Sequence, residues 1–178
     1  MVIVRFAAML FLALAAPCAL AMEGADLDVG DAPPAELAAF LDKHNRVRAG
    51  HCAPPLVWSA EVARWAQAWA DELSARGCAF EHSHGRFGEN LALGIAGVHD
   101  NPAEIADLWY RELDEYHFGF GGFSLATGHF TQMIWANSRR LGCGTSTCSG
   151  KRIWVCQYDP PGNYRGEYAR NVRPWVCR

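Results

Sequence analysis

His129 opens an apolar turn, Gly128-His129-Phe130-Thr131-Gln132-Met133-Ile134-Trp135, in a chain that also places Glu89 where its sequence turns apolar and Glu112 on the edge of an apolar stripe. An imidazole in such a setting can ligate a metal or carry a proton. Glu112 follows Leu108 and Trp109 by four and three residues, whereas Glu104 and Asp107 read as solvent-facing acids. A carboxylate against apolar side chains is costly unless it is hydrogen-bonded or paired, so donors such as the histidines are its expected partners. Cys78-Ala79-Phe80-Glu81-His82-Ser83-His84 reads as an extended connection. Its two histidines, two residues apart, are expected on one side. Glu89 reads equally as a solvated carboxylate at the start of a strand or helix. His44, inside an apolar helical stripe, reads as a core histidine.

The elements that must position these groups follow from apolar periodicity. Leu37, Phe40, Leu41, His44 and Val47 recur at spacings of three and four and predict a first helix from near Glu36 to a stop at Gly50. Ser59 is a good N-cap for a second, with Val62, Trp65, Ala66, Trp69 and Leu73 on its buried face and Gly77 as terminator. Residues 85–88, Gly-Arg-Phe-Gly, turn the chain ahead of Glu89. Asn101-Pro102 opens a third helix with Ile105, Leu108, Trp109 and Leu113 inward. Residues 119–128 hold four glycines and four apolar side chains, which predicts a surface loop following an irregular path, able to border a cleft. A short helix runs from His129 to about Trp135, with Phe130 and Trp135 read as core. Strands are expected over 141–145 and 152–158. If Ser149-Gly150 is a two-residue turn, opposed residues sum to 299, so Cys143 faces Cys156 at disulfide distance.

Composition narrows the class of protein. Arg5 and the apolar run through Leu14, followed by Ala19-Leu20-Ala21, read as a signal peptide over residues 1–21. No stretch is long enough for a membrane span, so no transmembrane anchor is expected. Without the leader, 15 Lys and Arg stand against 19 Asp and Glu, counting Arg5 out of the 16 in the full chain. That balance gives no support to a nucleic-acid partner. Seven cysteines become six once Cys18 is removed, an even number that in an exported chain predicts three disulfides. Residues 22–35, small, acidic and closed by Pro33-Pro34, read as a flexible lead-in to a single domain over 36–178.

Residues 128–138, Gly-His-Phe-Thr-Gln-Met-Ile-Trp-Ala-Asn-Ser, resemble the first signature of the CAP superfamily of cysteine-rich secretory proteins, antigen 5 and pathogenesis-related protein 1. Residues 156–164, Cys-Gln-Tyr-Asp-Pro-Pro-Gly-Asn-Tyr, resemble the second. His82-Ser83 ahead of Gly88-Glu89-Asn90-Leu91, and Leu108-Trp109-Tyr110-Arg111-Glu112, complete four motifs in family order. The resemblance implies an α+β fold, an alpha-beta-alpha sandwich with a small central antiparallel sheet. It also implies a central cleft lined by His82, Glu89, Glu112 and His129, with no counterpart for His84. Of the 15 ways to pair six cysteines, it suggests Cys78 with Cys148 and agrees with the hairpin reading of Cys143 with Cys156. Cys52 is left with Cys177.

The resemblance leaves several functions open. Two neutral imidazoles, His82 and His129, could hold zinc or another divalent metal, with Glu89 and Glu112 as ligands or as orienting groups behind them. That chemistry implies a metal-dependent hydrolase or protease. A metal-free hydrolase would use His129 as base with Glu112 behind it, but neither Ser83 nor Ser124 lies in a nucleophile elbow. CAP relatives are associated with sterols, other lipids and glycans, and Phe118, Phe120, Phe123 and Leu125 offer a mobile apolar surface to such a ligand. The first expectation is therefore a secreted binder of a hydrophobic ligand or cell-surface component. The alternatives are the hydrolase and an interaction scaffold without a small ligand.

Overall fold

The computed structural model describes residues 31–177, so the leader and most of the lead-in lie outside the described residues. The elements are α1 (Ala38–Gly50), β1 (Val57–Trp58), α2 (Ala60–Ala75), β2 (Gly88–Ile95), α3 (Pro102–Arg111) running into a 3-10 turn (Glu112–Glu115), α4 (Gly128–Met133), β3 (Arg140–Cys148), β4 (Lys151–Asp159) and α5 (Tyr168–Asn171). The caps are those expected: Ser59 Oγ accepts from the Val62 amide at 3.3 Å and Asn101 Oδ1 from the Ala103 amide at 3.0 Å. Asp31, in the lead-in, adds a bond from the Ala60 amide at 2.8 Å and so also holds the start of α2.

The sheet order is β1-β3-β4-β2. Three strands pair antiparallel as expected, and the two-residue β1 adds a parallel edge that makes the sheet mixed. Ser149 and Gly150, both with positive φ (49° and 73°), form the hairpin turn, which sets the register in which Cys143 faces Cys156. These two are joined with Cα atoms 4.1 Å apart, and Cys78–Cys148 and Cys52–Cys177 close the other pairs at 5.7 and 5.5 Å.

Alternation along the strands separates two cores. Leu91, Ile153 and Val155 pack with Ala66, Ala70 and Leu73 of α2 on one face. Leu141, Cys143, Trp154, Cys156 and Tyr158 pack with Phe40, Trp109, Phe130 and Trp135 on the other, under α1, α3 and α4. The sandwich thus has α2 alone on one side. Gly142 and Gly144 make that side tight: a Cβ there would lie 2.1 Å from the Ala63 amide nitrogen and 2.4 Å from Gln67 Cα.

This close approach corrects one expectation. Only small or slender residues of α2 fit against the sheet, so Trp65, read as buried, is displaced to the flank and is 56% exposed. Leu108 is likewise exposed, because the inward stripe of α3 centres on Ile105, Ala106 and Trp109. His84 adopts φ 52°, which breaks the extended path that would have put it on the same side as His82.

Candidate functional site

His82, Glu89, Glu112 and His129, the residues expected to line a cleft, form two imidazole–carboxylate pairs. His82 Nδ1 lies 2.8 Å from Glu89 Oε1, and His129 Nδ1 lies 2.5 Å from Glu112 Oε1. A carboxylate oxygen accepts, so each Nδ1 carries the proton, and a neutral ring keeps its lone pair on Nε2. No three His, Cys, Asp or Glu side chains gather closely enough to hold a metal among the described residues.

Glu89 begins the edge strand β2. Opposite Gln157 in the register, it accepts from Gln157 Nε2 at 2.9 Å, from Ser83 Oγ at 2.6 Å and from the Ser83 amide at 3.0 Å. Burial raises the Glu89 carboxyl, but the hydrogen bonds from His82, Ser83 and Gln157 outweigh it and leave the group below its ordinary value. Ser83, a nucleophile candidate by position, thus donates to a carboxylate. Ser124 shares a hydrogen bond with Thr127 at 2.8 Å.

Glu112 ends α3 and begins the 3-10 turn. Besides the His129 ring, it accepts the amides of His129 and Phe130 through Oε2 at 2.9 and 3.1 Å. One carboxylate therefore holds both the first turn of α4 and the imidazole that α4 presents. Trp109, one turn earlier, stacks on that imidazole with ring centres 5.9 Å apart at 17°. The second signature clamps the same turn: Asn163 Nδ2 donates to the Gly128 carbonyl at 2.9 Å, and Thr131 Oγ1 donates to Asn163 Oδ1 at 2.6 Å.

Adjacent β2 residues link the pairs from opposite sides of the strand. Glu89 holds His82, while Asn90 Nδ2 donates to the His129 carbonyl at 3.1 Å and to the Tyr158 hydroxyl at 3.0 Å. Tyr158 in turn donates to His44 Nε2 at 2.7 Å, and His44 Nδ1 donates to the Phe40 carbonyl at 2.6 Å. His44 is fully buried, as its stripe position implied, and burial lowers its pKa to about 4. Asn90, Tyr158, Gln157 and Trp109 were not singled out as site residues from the sequence. Adjacency to Glu89, or a helical turn's distance from Glu112, is the signal that marks Asn90 and Trp109.

The glycine-rich loop divides in two. Phe118 packs inward, its ring 5.0 Å from Tyr116 and 6.3 Å from Phe130, and belongs to the margin of the core. Phe120 is 95% exposed, Leu125 89% and Phe123 59%. Beneath Phe120 lies a cavity of about 280 Å3 floored by Tyr116, Phe118, Tyr168 and Val172. Phe123 lies against Gly128, where a Cβ would be 3.0 Å from its ring, so the loop abuts the turn that carries His129.

A layered sandwich of this topology, with one His–Glu pair at the edge strand β2 and a second between α3 and α4, is of CAP type. The chain belongs to the CAP, or cysteine-rich secretory protein, family, whose family model matches residues 41–158. It is 42% identical over 131 residues to pathogenesis-related protein 1A of Nicotiana tabacum, covering 72% of this chain and 77% of that protein. It is 40% identical over 144 residues to secreted protein RBT4 of Candida albicans, covering 78% of this chain and 38% of RBT4. Among solved structures, that of NaASP2 with Zn2+ is similar with a TM-score of 0.64 and 26% identity, over 82% of this chain and 90% of that one.

Proposed function

We propose that this is a secreted CAP protein that binds an apolar ligand of sterol or lipid type through its glycine-rich loop. The observation that carries this reading is the exposure of Phe120, Phe123 and Leu125 within six residues, with Phe120 at the rim of a cavity floored by aromatic and aliphatic side chains. Large apolar side chains grouped on one loop mark interaction surfaces, and each is worth roughly 1.5–3 kcal/mol when it leaves water. The 280 Å3 cavity is small for a whole sterol, so the reading is of a lipid held at one end while the loop covers the rest or rests on a bilayer. Export is supported by the leader-like residues 1–21 and by the secreted relative RBT4. Flotation of the oxidised protein with vesicles of neutral phospholipid, with and without sterol, tests the reading. Co-flotation supports it, and protein left in the bottom fraction with both vesicle types counts against it.

A second reading rests on a separate observation. Each imidazole has Nδ1 fixed on a carboxylate and Nε2 left to accept, the arrangement in which histidines ligate zinc. NaASP2, similar in structure, has been crystallised with Zn2+. His82 and His129 would hold a divalent ion, with Glu89 and Glu112 orienting the rings. A bound ion would supply an acidified water. Calorimetric zinc titration separates the outcomes: heat lost in both His82→Ala and His129→Ala supports the site, and heat retained in both refutes it.

A further inference from the structure

A cavity of about 470 Å3 lies on the other side of the molecule from the loop, between α2 and residues 83–87. Its walls are aromatic: Trp65 and Trp69, one turn apart on α2, face Phe87, whose ring centre is 6.5 Å from that of Trp65. The walls are also held in place. Trp69 Nε1 donates to the Glu81 carbonyl at 3.1 Å, and the Arg86 guanidinium lies 4.6 Å above Phe87 while paired to Glu61 at 2.6 Å. The close packing of α2 on Gly142 and Gly144 keeps Trp65 out of the core and leaves Trp69 at its margin, and the two indoles form an apolar cleft open to water.

The inner end of the cleft is polar, formed by Ser83 and Gln157. Gln157 is 3% exposed, and its Nε2 donates to Glu89, which fixes which end of the amide is the acceptor. That acceptor, Oε1, is buried and has no hydrogen-bond partner among the described residues. Leaving it so is costly; the atom is closed off from the cleft, so a donor reaches it only with a small shift of the side chains around it, and that pairing removes the cost.

We propose that this cleft is a second binding site, for a small planar, largely apolar molecule bearing one N–H or O–H donor. The rings of Trp65, Trp69 and Phe87 take the plane of the molecule, and Gln157 Oε1 takes its donor. Ser83 and Gln157 also hold Glu89, and Glu89 holds His82, so an occupant is felt at that imidazole.

Indole and 1-methylindole are suitable probes, alike in shape and differing in the donor. Titrated into the 15N-labelled, oxidised protein, indole should shift the Trp65 and Trp69 side-chain N–H signals saturably and move the His82 ring protons with them. 1-Methylindole should bind at least fivefold more weakly. In Trp65→Ala, a change at an exposed position, the saturable shift at Trp69 should disappear while the remaining amide spectrum stays folded. No saturation with indole, equal affinity for the two probes, or an unchanged Trp69 titration in Trp65→Ala would each overturn the proposal. Phe120→Ser should leave the indole titration unchanged, so this site stands or falls independently of lipid binding at the loop.

Discussion

Glu112 holds His129 twice, its Oε1 on the ring Nδ1 at 2.5 Å and its Oε2 on the backbone amide at 2.9 Å. The same carboxylate that starts α4 therefore sets the tautomer of the imidazole on α4. Glu112→Gln keeps the shape and leaves one acceptor for three donors. The substitution should cost about 1–3 kcal/mol in denaturant unfolding. In 15N spectra the His129 lone pair, on Nε2 in the parent, should redistribute toward Nδ1. An unchanged tautomer would contradict this role of the carboxylate.

His44 gives stability a sign with pH. Its pKa is lowered to about 4, chiefly by burial, whereas in the unfolded chain it lies near the ordinary 6.5. Between those values the unfolded state binds the extra proton, so stability rises with pH from about 4 to 6.5 and is flat with respect to this group above. The span is on the order of 3 kcal/mol, at about 1.4 kcal/mol per unit. His51, lowered by burial as well, adds in the same direction. Glu89, held below its ordinary value, adds a further loss of stability as pH falls through the carboxylate range. Urea unfolding across this range should show the slope, and it should be reduced in His44→Gln.

Arg48 is the buried cation of the fold. Its guanidinium donates to the carbonyls of Pro54 at 2.8 Å, Met133 at 2.9 Å, Trp135 at 3.0 Å and Ser138 at 2.9 Å, tying α1 to the second half of the first signature and to the connection after α1. Burial lowers its pKa to about 9. Arg48→Met fills much of the volume but strips four carbonyls of their donor, and should lose 3 kcal/mol or more. Arg48→Lys should not restore it, because an ammonium cannot span the fork. Equal unfolding midpoints for Lys and Arg would contradict this account.

Local signals made much of this architecture legible. Ser59 and Asn101 cap as their types require, and Ser149-Gly150 sets a register that places Cys143 on Cys156. The family motifs mark His82, Glu89, Glu112 and His129 and set Glu112 behind His129, but carry no signal for the His82–Glu89 bond. What local periodicity could not carry was the depth of each helix face. Trp65 satisfies the helical spacing for burial, yet Gly142 and Gly144, nearly eighty positions away, draw α2 too close for an indole to enter. Arg48 is hidden for a similar reason, since three of its four acceptors lie some ninety positions away, in residues 133–138. The Asn90–Tyr158–His44 chain joins three elements and has no local signature.

The most direct test of the binding claim is vesicle affinity of the double variant Phe120→Ser, Leu125→Ser. Both side chains lie in water and leave the core untouched, unlike Phe118. Losing two apolar contacts that together supply about 3 kcal/mol should weaken binding to sterol-containing vesicles about a hundredfold, with the unfolding midpoint unchanged. Parent-like affinity in the folded double variant would contradict the account.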